Sequence, residues 1–190
     1  VKELLVLGGP NGAGKTTAAQ IVVPRKLNIA EFINADEIAR GLSPFNPDGA
    51  ALAAGRLMLK RMQALASGEA SFAIETTCSG KGHFNFLRRC KNAGWRISLV
   101  FLWLPSPEIA IERVARRVMA GGHAIAPEII IRRYWAGLRN MRSLYLPLAN
   151  IVAIYDNAGE EPILIAERLS GADLALHDEA RWALIEEASK

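Results

Sequence analysis

A three-layer α/β fold, with helices on both faces of a mostly parallel sheet and a small helical lid, is what this sequence predicts. Three observations point to it. Short β-rich runs alternate with helical patterns, the order that parallel strands with helical crossovers require. A glycine-rich turn joins the first strand to the first helix. The carboxylates and hydroxyls that look chemical fall at the carboxyl ends of strands, where sheets of this kind bind ligands.

Leu4–Leu7 is a continuous apolar run, as a strand buried on both faces reads. After Gly8–Gly14 a helix starts at Lys15 and must stop by Pro24, because a proline pushes its predecessor out of helical geometry. Glu31–Asn34 reads as the second strand. Pro44, Asn46 and Pro47 form a loop, and Asp48 opens a long helix to about Ala66, with Leu52, Leu59 and Met62 as its buried stripe and Gly68 as its stop. Phe72–Glu75 is the third strand. The small-residue loop Thr76–Gly82 leads into a helix that Gly94 ends. Ile97–Leu104 is the fourth and most hydrophobic strand. Ser106, Pro107 and Glu108 supply a cap, a first-turn proline and an acid for the next helix. Gly121-Gly122 breaks that helix, and a second runs from Glu128 to about Arg139. Ile151–Tyr155 is the fifth strand, Ile163–Ala166 an edge strand, and the tail from Asp178 a closing helix. No repeat, linker or low-complexity stretch divides residues 1–190, so a single domain is expected.

Apolar residues make up 51% of the sequence and charged ones 22%, enough to build a core and to exclude a disordered chain. The net charge of +4 comes without any lysine- or arginine-rich block, which favours anionic phosphates over nucleic acid as the partner. Ile97–Leu104 is too short to span a bilayer, so no membrane partner is expected. The N-terminus has no signal-peptide layout, and Cys78 and Cys90 lack metal-ligand spacing. They read as free thiols of a cytoplasmic protein.

Gly9, Pro10, Asn11, Gly12, Ala13, Gly14, Lys15 and Thr16 match GxxxxGK[ST], with Thr17 following. Glycines at this spacing let backbone N–H groups turn inward around phosphate oxygens. Lys15 adds a point charge at the β/γ-phosphates, and the Thr16 hydroxyl is a ligand for Mg²⁺. The expected cofactors are therefore ATP and Mg²⁺. Asp36 and Glu37 stand just past the second strand. Asp36 suits a general base or a metal-positioning group, and equally a helix-capping acid without chemistry. Glu75, Thr76 and Thr77 end the third strand, where they suit a polyhydroxylated acceptor, the Mg²⁺ shell, or a self-capped turn. Arg113, Arg116 and Arg117 share a helix face at i, i+3 and i+4. With Arg132 and Arg133 beyond the glycine break, they read as a lid over about 113–133, or else as a solvated basic face. His123 reads as a loop hydrogen-bonder, since no partner residue has metal-ligand spacing. Leu169-Ser170-Gly171-Ala172 mimics a transporter-ATPase signature, but Asp178-Glu179 follows too closely for an intervening helix.

Gly8–Thr17, Phe32–Arg40, Phe72–Thr77 and Ile111-Glu112-Arg113, in this order, resemble the zeta-toxin family of P-loop kinases, over Val1 to about Gly159. That family phosphorylates a hydroxyl of UDP-N-acetylglucosamine with ATP and Mg²⁺. The resemblance implies Lys15 as phosphate clamp, Asp36 as general base, Glu75 and Thr77 on the acceptor side, and Arg113 as a lid arginine on the γ-phosphate. It also implies a sugar-nucleotide acceptor and a cognate antitoxin. Two positions depart from the pattern. His123–Pro127 lacks the second lid arginine, for which Arg117, Arg132 or Arg133 would substitute, and Met58 and Leu59 occupy the region where family members often present an acid. The sequence thus predicts an ATP-dependent kinase acting on a small-molecule hydroxyl, by in-line transfer in which the protein positions groups and neutralises charge. The rival is a nucleotide-switched binding protein with slow ATPase activity.

Overall fold

The computed structural model describes residues 1–19, 29–122 and 124–190. The expected end of the first helix at Pro24 and the expected role of His123 lie outside the described residues. Strand β1 (Glu3–Gly8) runs into the glycine-rich turn, and the first helix, α1, is helical over residues 15–19. There follow β2 (Glu31–Ile33), α2 (Ala35–Leu42), α3 (Ala51–Ser67), β3 (Phe72–Thr76), α4 (Gly82–Asn92), β4 (Arg96–Trp103), α5 (Pro107–Met119) and α6 (Pro127–Asn140). A π-helical turn, Met141–Tyr145, carries α6 into the short α7 (Leu146–Leu148). The chain closes with β5 (Ile151–Asp156), β6 (Ile163–Arg168), β7 (Ala175–Leu176) and α8 (Glu179–Ala188).

The sheet order is β2-β3-β1-β4-β5-β6-β7. The first five strands in that order are parallel, and β6 and β7 are antiparallel additions. This is a three-layer α/β P-loop fold. Alternate residues of β1 enter two separate cores: Leu4 and Val6 pack on one face of the sheet, Leu5 and Leu7 on the other. Burial on both faces is why the strand reads as an unbroken apolar run. The register sets Gly8 opposite Thr76 and Phe101, and Ile33 opposite Ile74, so the carboxyl ends of β1, β2 and β3 finish on one rim.

Three expectations are corrected. In α3 the buried residues are Ala54, Met58, Met62 and Leu65, whereas Leu52 is 70% exposed and Leu59 only half-buried. Both sets have helical spacing, so period alone does not choose between them. Strand β6 is not the edge of the sheet, because β7 pairs outside it through Ala166–Leu176 and Glu167–Ala175. Two exposed residues are too short a signal to read as a strand. Asn34 belongs to no strand: it caps α2, its side-chain carbonyl accepting the Asp36 N–H at 2.8 Å. The mimic segment from Leu169 forms a turn, and Asp178 caps α8. Both cysteines are buried free thiols. Among the described residues no helix is long and apolar enough to cross a membrane.

Candidate active site

The glycine-rich turn is built around positive backbone angles at Gly9, Gly12 and Gly14. Gly12 also meets a close neighbour: a Cβ there would lie 2.9 Å from the Ala110 carbonyl and 3.1 Å from the Arg113 Cβ. Only glycine lets α5 pack this tightly on the turn. Inside it, the Lys15 ammonium donates to the Pro10 carbonyl at 2.8 Å and lies 3.7 Å from Glu75 Oε1. Ala13 is buried, and its N–H also donates to the Pro10 carbonyl, which tightens the turn. Lys15 is 6% exposed, and this burial pulls its pKa below the ordinary 10.5. The carboxylates of Glu75 and, more weakly, Asp36 oppose that fall.

Glu75 is the hub of the rim. Its Oε2 accepts from the Thr16 hydroxyl and from the Asn34 amide, each at 2.9 Å, while Oε1 faces Lys15. The β1–β3 and β2–β3 registers create this convergence, since Glu75 pairs with Leu7 and follows the Ile33–Ile74 pair. Sequence reasoning missed Asn34, whose signal is a capping residue directly after a strand.

Two cavities meet at these residues. The first, of about 200 Å³, follows the glycine-rich turn and is lined by Gly12, Gly14, Lys15, Thr16, Thr17, Arg113 and Arg117. The second, of about 340 Å³, lies between the ends of β2 and β3 and the start of α4, and is lined by Thr77, Ser79, His83 and Arg133. Asn11, Lys15, Asn34, Asp36 and Glu75 border both. Asn11 is buried, and its side-chain oxygen has no partner among the described residues. Asn11 borders the junction of the two cavities, and this oxygen is an unused acceptor within its wall. Thr16, Glu75 and Asp36 offer hard oxygen donors beside it, too few for an all-protein cage but suited to Mg²⁺ shared with phosphate oxygens.

The loop after β3 is held from several sides. Thr76 Oγ1 accepts the Cys78 N–H at 3.0 Å and lies 3.3 Å from His83 Nδ1, so its role is structural, while Thr77 faces the second cavity and bonds Ser79 at 2.8 Å. Cys78 lies beneath the glycine-rich turn, and burial pushes its thiol up to about 12. Burial also lowers the His83 pKa, which favours a neutral ring.

The arginines divide. Arg116 is exposed and pairs with Glu112 at 3.1 Å. Arg113 reaches the first cavity, but its two terminal nitrogens donate to the carbonyls of Asn157 (2.8 Å) and Ala158 (2.7 Å). Asn157 in turn donates to the Ala13 carbonyl at 2.7 Å, so the loop after β5 clasps the glycine-rich turn. Asp156 shapes that loop, accepting from Ala158 N–H and from Arg181 of α8. Sequence reasoning missed Asn157, which has no motif of its own. Arg132 is exposed, whereas Arg133 lines the second cavity.

The segment expected to form a lid runs from the glycine-ended C-terminus of α5 to α6. Gly121, at φ 85°, ends α5 with its own N–H on the Val118 carbonyl and the Gly122 N–H on the Arg117 carbonyl. Helix α6 is fixed. Tyr134 donates to the Leu104 carbonyl at 2.7 Å, Asn140 to the Cys78 carbonyl at 2.8 Å, and a Cβ on Gly137 would lie 2.4 Å from the Thr77 carbonyl.

Comparisons with known proteins agree with this architecture. An uncharacterized protein of Haemophilus influenzae is 32% identical over 133 residues, covering 66% of this chain and 88% of that one. A chain of the AvrRxo1-ORF1:AvrRxo1-ORF2 complex superposes with a TM-score of 0.78 with sulphate ions and 0.72 with ATP, at 16% identity. All of this chain is covered, and it spans 64% of that one. A chain of the PezAT chromosomal toxin-antitoxin system of Streptococcus pneumoniae matches at a TM-score of 0.63 and 15% identity, with 98% and 85% of the two chains covered. These likenesses show the fold. The family model described as AAA domain, AAA_33, matches residues 4–140, most of the strands and helices that build the two cavities, and the chain belongs to that family.

Proposed function

We propose that this protein is an ATP-dependent kinase that transfers the γ-phosphate to a hydroxyl of a small molecule. One observation carries the reading: a phosphate-sized cavity around Lys15 and a larger polar cavity meet at a shared wall that includes Asp36 and Glu75. A protein that only binds or slowly hydrolyses ATP needs the first cavity and has no use for the second.

In the proposed reaction the acceptor oxygen attacks the γ-phosphorus in line. A new O–P bond forms, the bond to the β–γ bridging oxygen breaks, and ADP leaves. Asp36 takes the hydroxyl proton as the new bond forms. Lys15 and the turn's N–H groups neutralise charge on the phosphates. Thr16 and Glu75 would hold Mg²⁺, which supplies further charge neutralisation when bound. Arg117 lines the phosphate side, and Arg113 braces the loop of Asn157 and Ala158 against it. Glu75 and Thr77 stand at the acceptor side. The zeta-toxin resemblance makes a sugar nucleotide the first acceptor to assay and a cognate antitoxin the first partner to seek.

The test is ATP consumption by the purified protein with and without a pool of cell metabolites, with mass spectrometry to find the phosphorylated product. Acceptor-dependent turnover that disappears in Lys15→Ala is expected. Equal ATP hydrolysis with and without the pool, or wild-type turnover in folded Lys15→Ala, refutes the kinase reading.

A further inference from the structure

We infer that Asn140 and Tyr145 are positioning residues of the acceptor side. From the π-helical turn after α6 they hold the backbone of the β3–α4 loop, so that Thr77 and Ser79 turn their hydroxyls to the acceptor. This rests on the kinase reading above. Neither residue lines the two cavities of the site, so each acts through the loop.

The loop meets one continuous helical segment in order. A Cβ on Gly137 would lie 2.4 Å from the Thr77 carbonyl, the Asn140 amide donates to the Cys78 carbonyl at 2.8 Å, and the Tyr145 hydroxyl donates to the Gly80 carbonyl at 3.4 Å. Gly137 and Asn140 are three apart and share an α-helical face. Asn140 and Tyr145 are five apart. In an α-helix they would stand about 140° apart around the axis, at about 100° per residue. The turn Met141–Tyr145 removes that angle. Its bonds close over five residues, as from the Leu146 N–H to the Met141 carbonyl, so positions five apart come onto one side. The helix leaves regular geometry at the place where two side chains must reach one loop.

The loop needs holding. Cys78 has φ 58°, in the left-handed region that a residue with a Cβ adopts only when its surroundings determine it. Its N–H donates to the Thr76 hydroxyl and its carbonyl accepts from Asn140, so both backbone groups are fixed. The residues on either side, Thr77 and Ser79, line the second cavity, and their hydroxyls bond each other at 2.8 Å. Tyr145 is buried and packs edge-on against Phe84 in the first turn of α4, with ring centroids 6.1 Å apart. Its hydroxyl is therefore brought to the loop by a ring with little freedom. A hydroxyl pair that orients an acceptor has to be set before binding, since a displacement of about 1 Å can cost about 10²-fold in rate.

The test measures single-turnover transfer from saturating γ-labelled ATP at limiting amounts of a microbial metabolite extract, alongside direct ATP binding. Asn140→Asp keeps the shape of the side chain and replaces the donor to Cys78 with an acceptor. Tyr145→Phe keeps the ring and removes only the hydroxyl. Asn140→Asp should lower the transfer rate about 10- to 100-fold, and Tyr145→Phe, whose bond is longer, about 2- to 5-fold. ATP affinity should stay within about twofold in both. In a Thr77→Ala/Ser79→Ala background the hydroxyls to be positioned are gone. There Asn140→Asp should add less than about twofold, because residues that act as one unit are not additive. Wild-type transfer in Asn140→Asp or in Thr77→Ala/Ser79→Ala overturns the inference. So does an equal loss of transfer and ATP affinity, or an undiminished effect of Asn140→Asp in the Thr77→Ala/Ser79→Ala background. All of these leave the kinase reading standing. Absence of extract-dependent transfer by the wild-type protein overturns both.

Discussion

Replacing Glu75 with Gln keeps the shape of the rim and removes its central charge. The amide oxygen can take the place of Oε2 and still accept from Thr16 and Asn34. The amide NH₂ must then face the Lys15 ammonium, donor against donor, where a carboxylate oxygen stood 3.7 Å away. Both side chains are buried. At that separation the lost attraction is about 4 kcal/mol with an effective dielectric of about 20. Retention of the two hydrogen bonds lowers the expected net loss of stability to about 2–3 kcal/mol at pH 7. The loss should depend on pH, and its sign follows from the proton count. Lys15 already has a folded pKa below its ordinary 10.5, and Glu75 is the strongest influence holding it up. In Glu75→Gln the folded pKa falls further, so between the folded pKa and 10.5 the unfolded chain binds more protons than the folded one. Stability therefore rises with pH through this window. The gap between variant and wild type should be widest near neutrality and close as pH passes the unfolded pKa. Urea unfolding followed by circular dichroism at pH 7, 8.5 and 10 measures it. A gap that is constant with pH, or below about 0.5 kcal/mol throughout, refutes the Lys15–Glu75 account.

Asp36→Asn should slow single-turnover transfer about 10²- to 10⁴-fold with ATP affinity nearly unchanged, as for loss of a general base. Glu37→Gln should do little, because Glu37 is exposed and paired with Arg40 at 2.9 Å. Arg113→Ala should weaken ATP binding about 10-fold or more, having lost both a cation and two charged hydrogen bonds to the loop of Asn157 and Ala158. Arg116→Ala should stay within about twofold, and equal small effects would return the arginines to a solvated face. Gly137→Ala should cost about 1–3 kcal/mol by forcing a methyl onto the Thr77 carbonyl. Gly55→Ala, on a stretch of α3 where a Cβ meets nothing within 4 Å, should gain about 0.5–1 kcal/mol. Denaturant midpoints compare the two, and a Gly137→Ala protein as stable as wild type would disprove the close contact of α6 with the β3–α4 loop.

The parts of the site that were legible in the sequence are those made by local geometry. The glycine-rich turn, Asp36 past β2 and Glu75 at the end of β3 are each fixed by a strand and the few residues after it. Residues brought in by tertiary packing left no local trace. Asn157 comes from the far end of β5; Arg133 is legible as a lid arginine, but not its place at the second cavity, which comes from a helix whose depth is set by Gly137 and Asn140. His83 reaches the cavity only because α4 starts at its rim. The same distinction explains α3: its period announced a helix, but the buried side depended on how α2 and the sheet meet it. An edge strand two residues long, such as β7, has no periodicity to detect.

The strand order has a consequence for synthesis on the ribosome. Of the strands in this sheet β1 is made before the others, and it sits between β3 and β4, so it has no sheet neighbour until Phe72 and the residues after it have been added. At about 5–20 residues per second, this apolar segment stays unpaired for roughly 3–13 s. The nucleotide side waits longer still. Its glycine-rich turn is translated well before Asn157, which clasps it and whose loop is braced by Asp156 and Arg181. Chaperones that shield short apolar stretches would therefore meet this chain early, and a nascent chain stalled before α8 would hold the phosphate-binding motif without the brace that sets it.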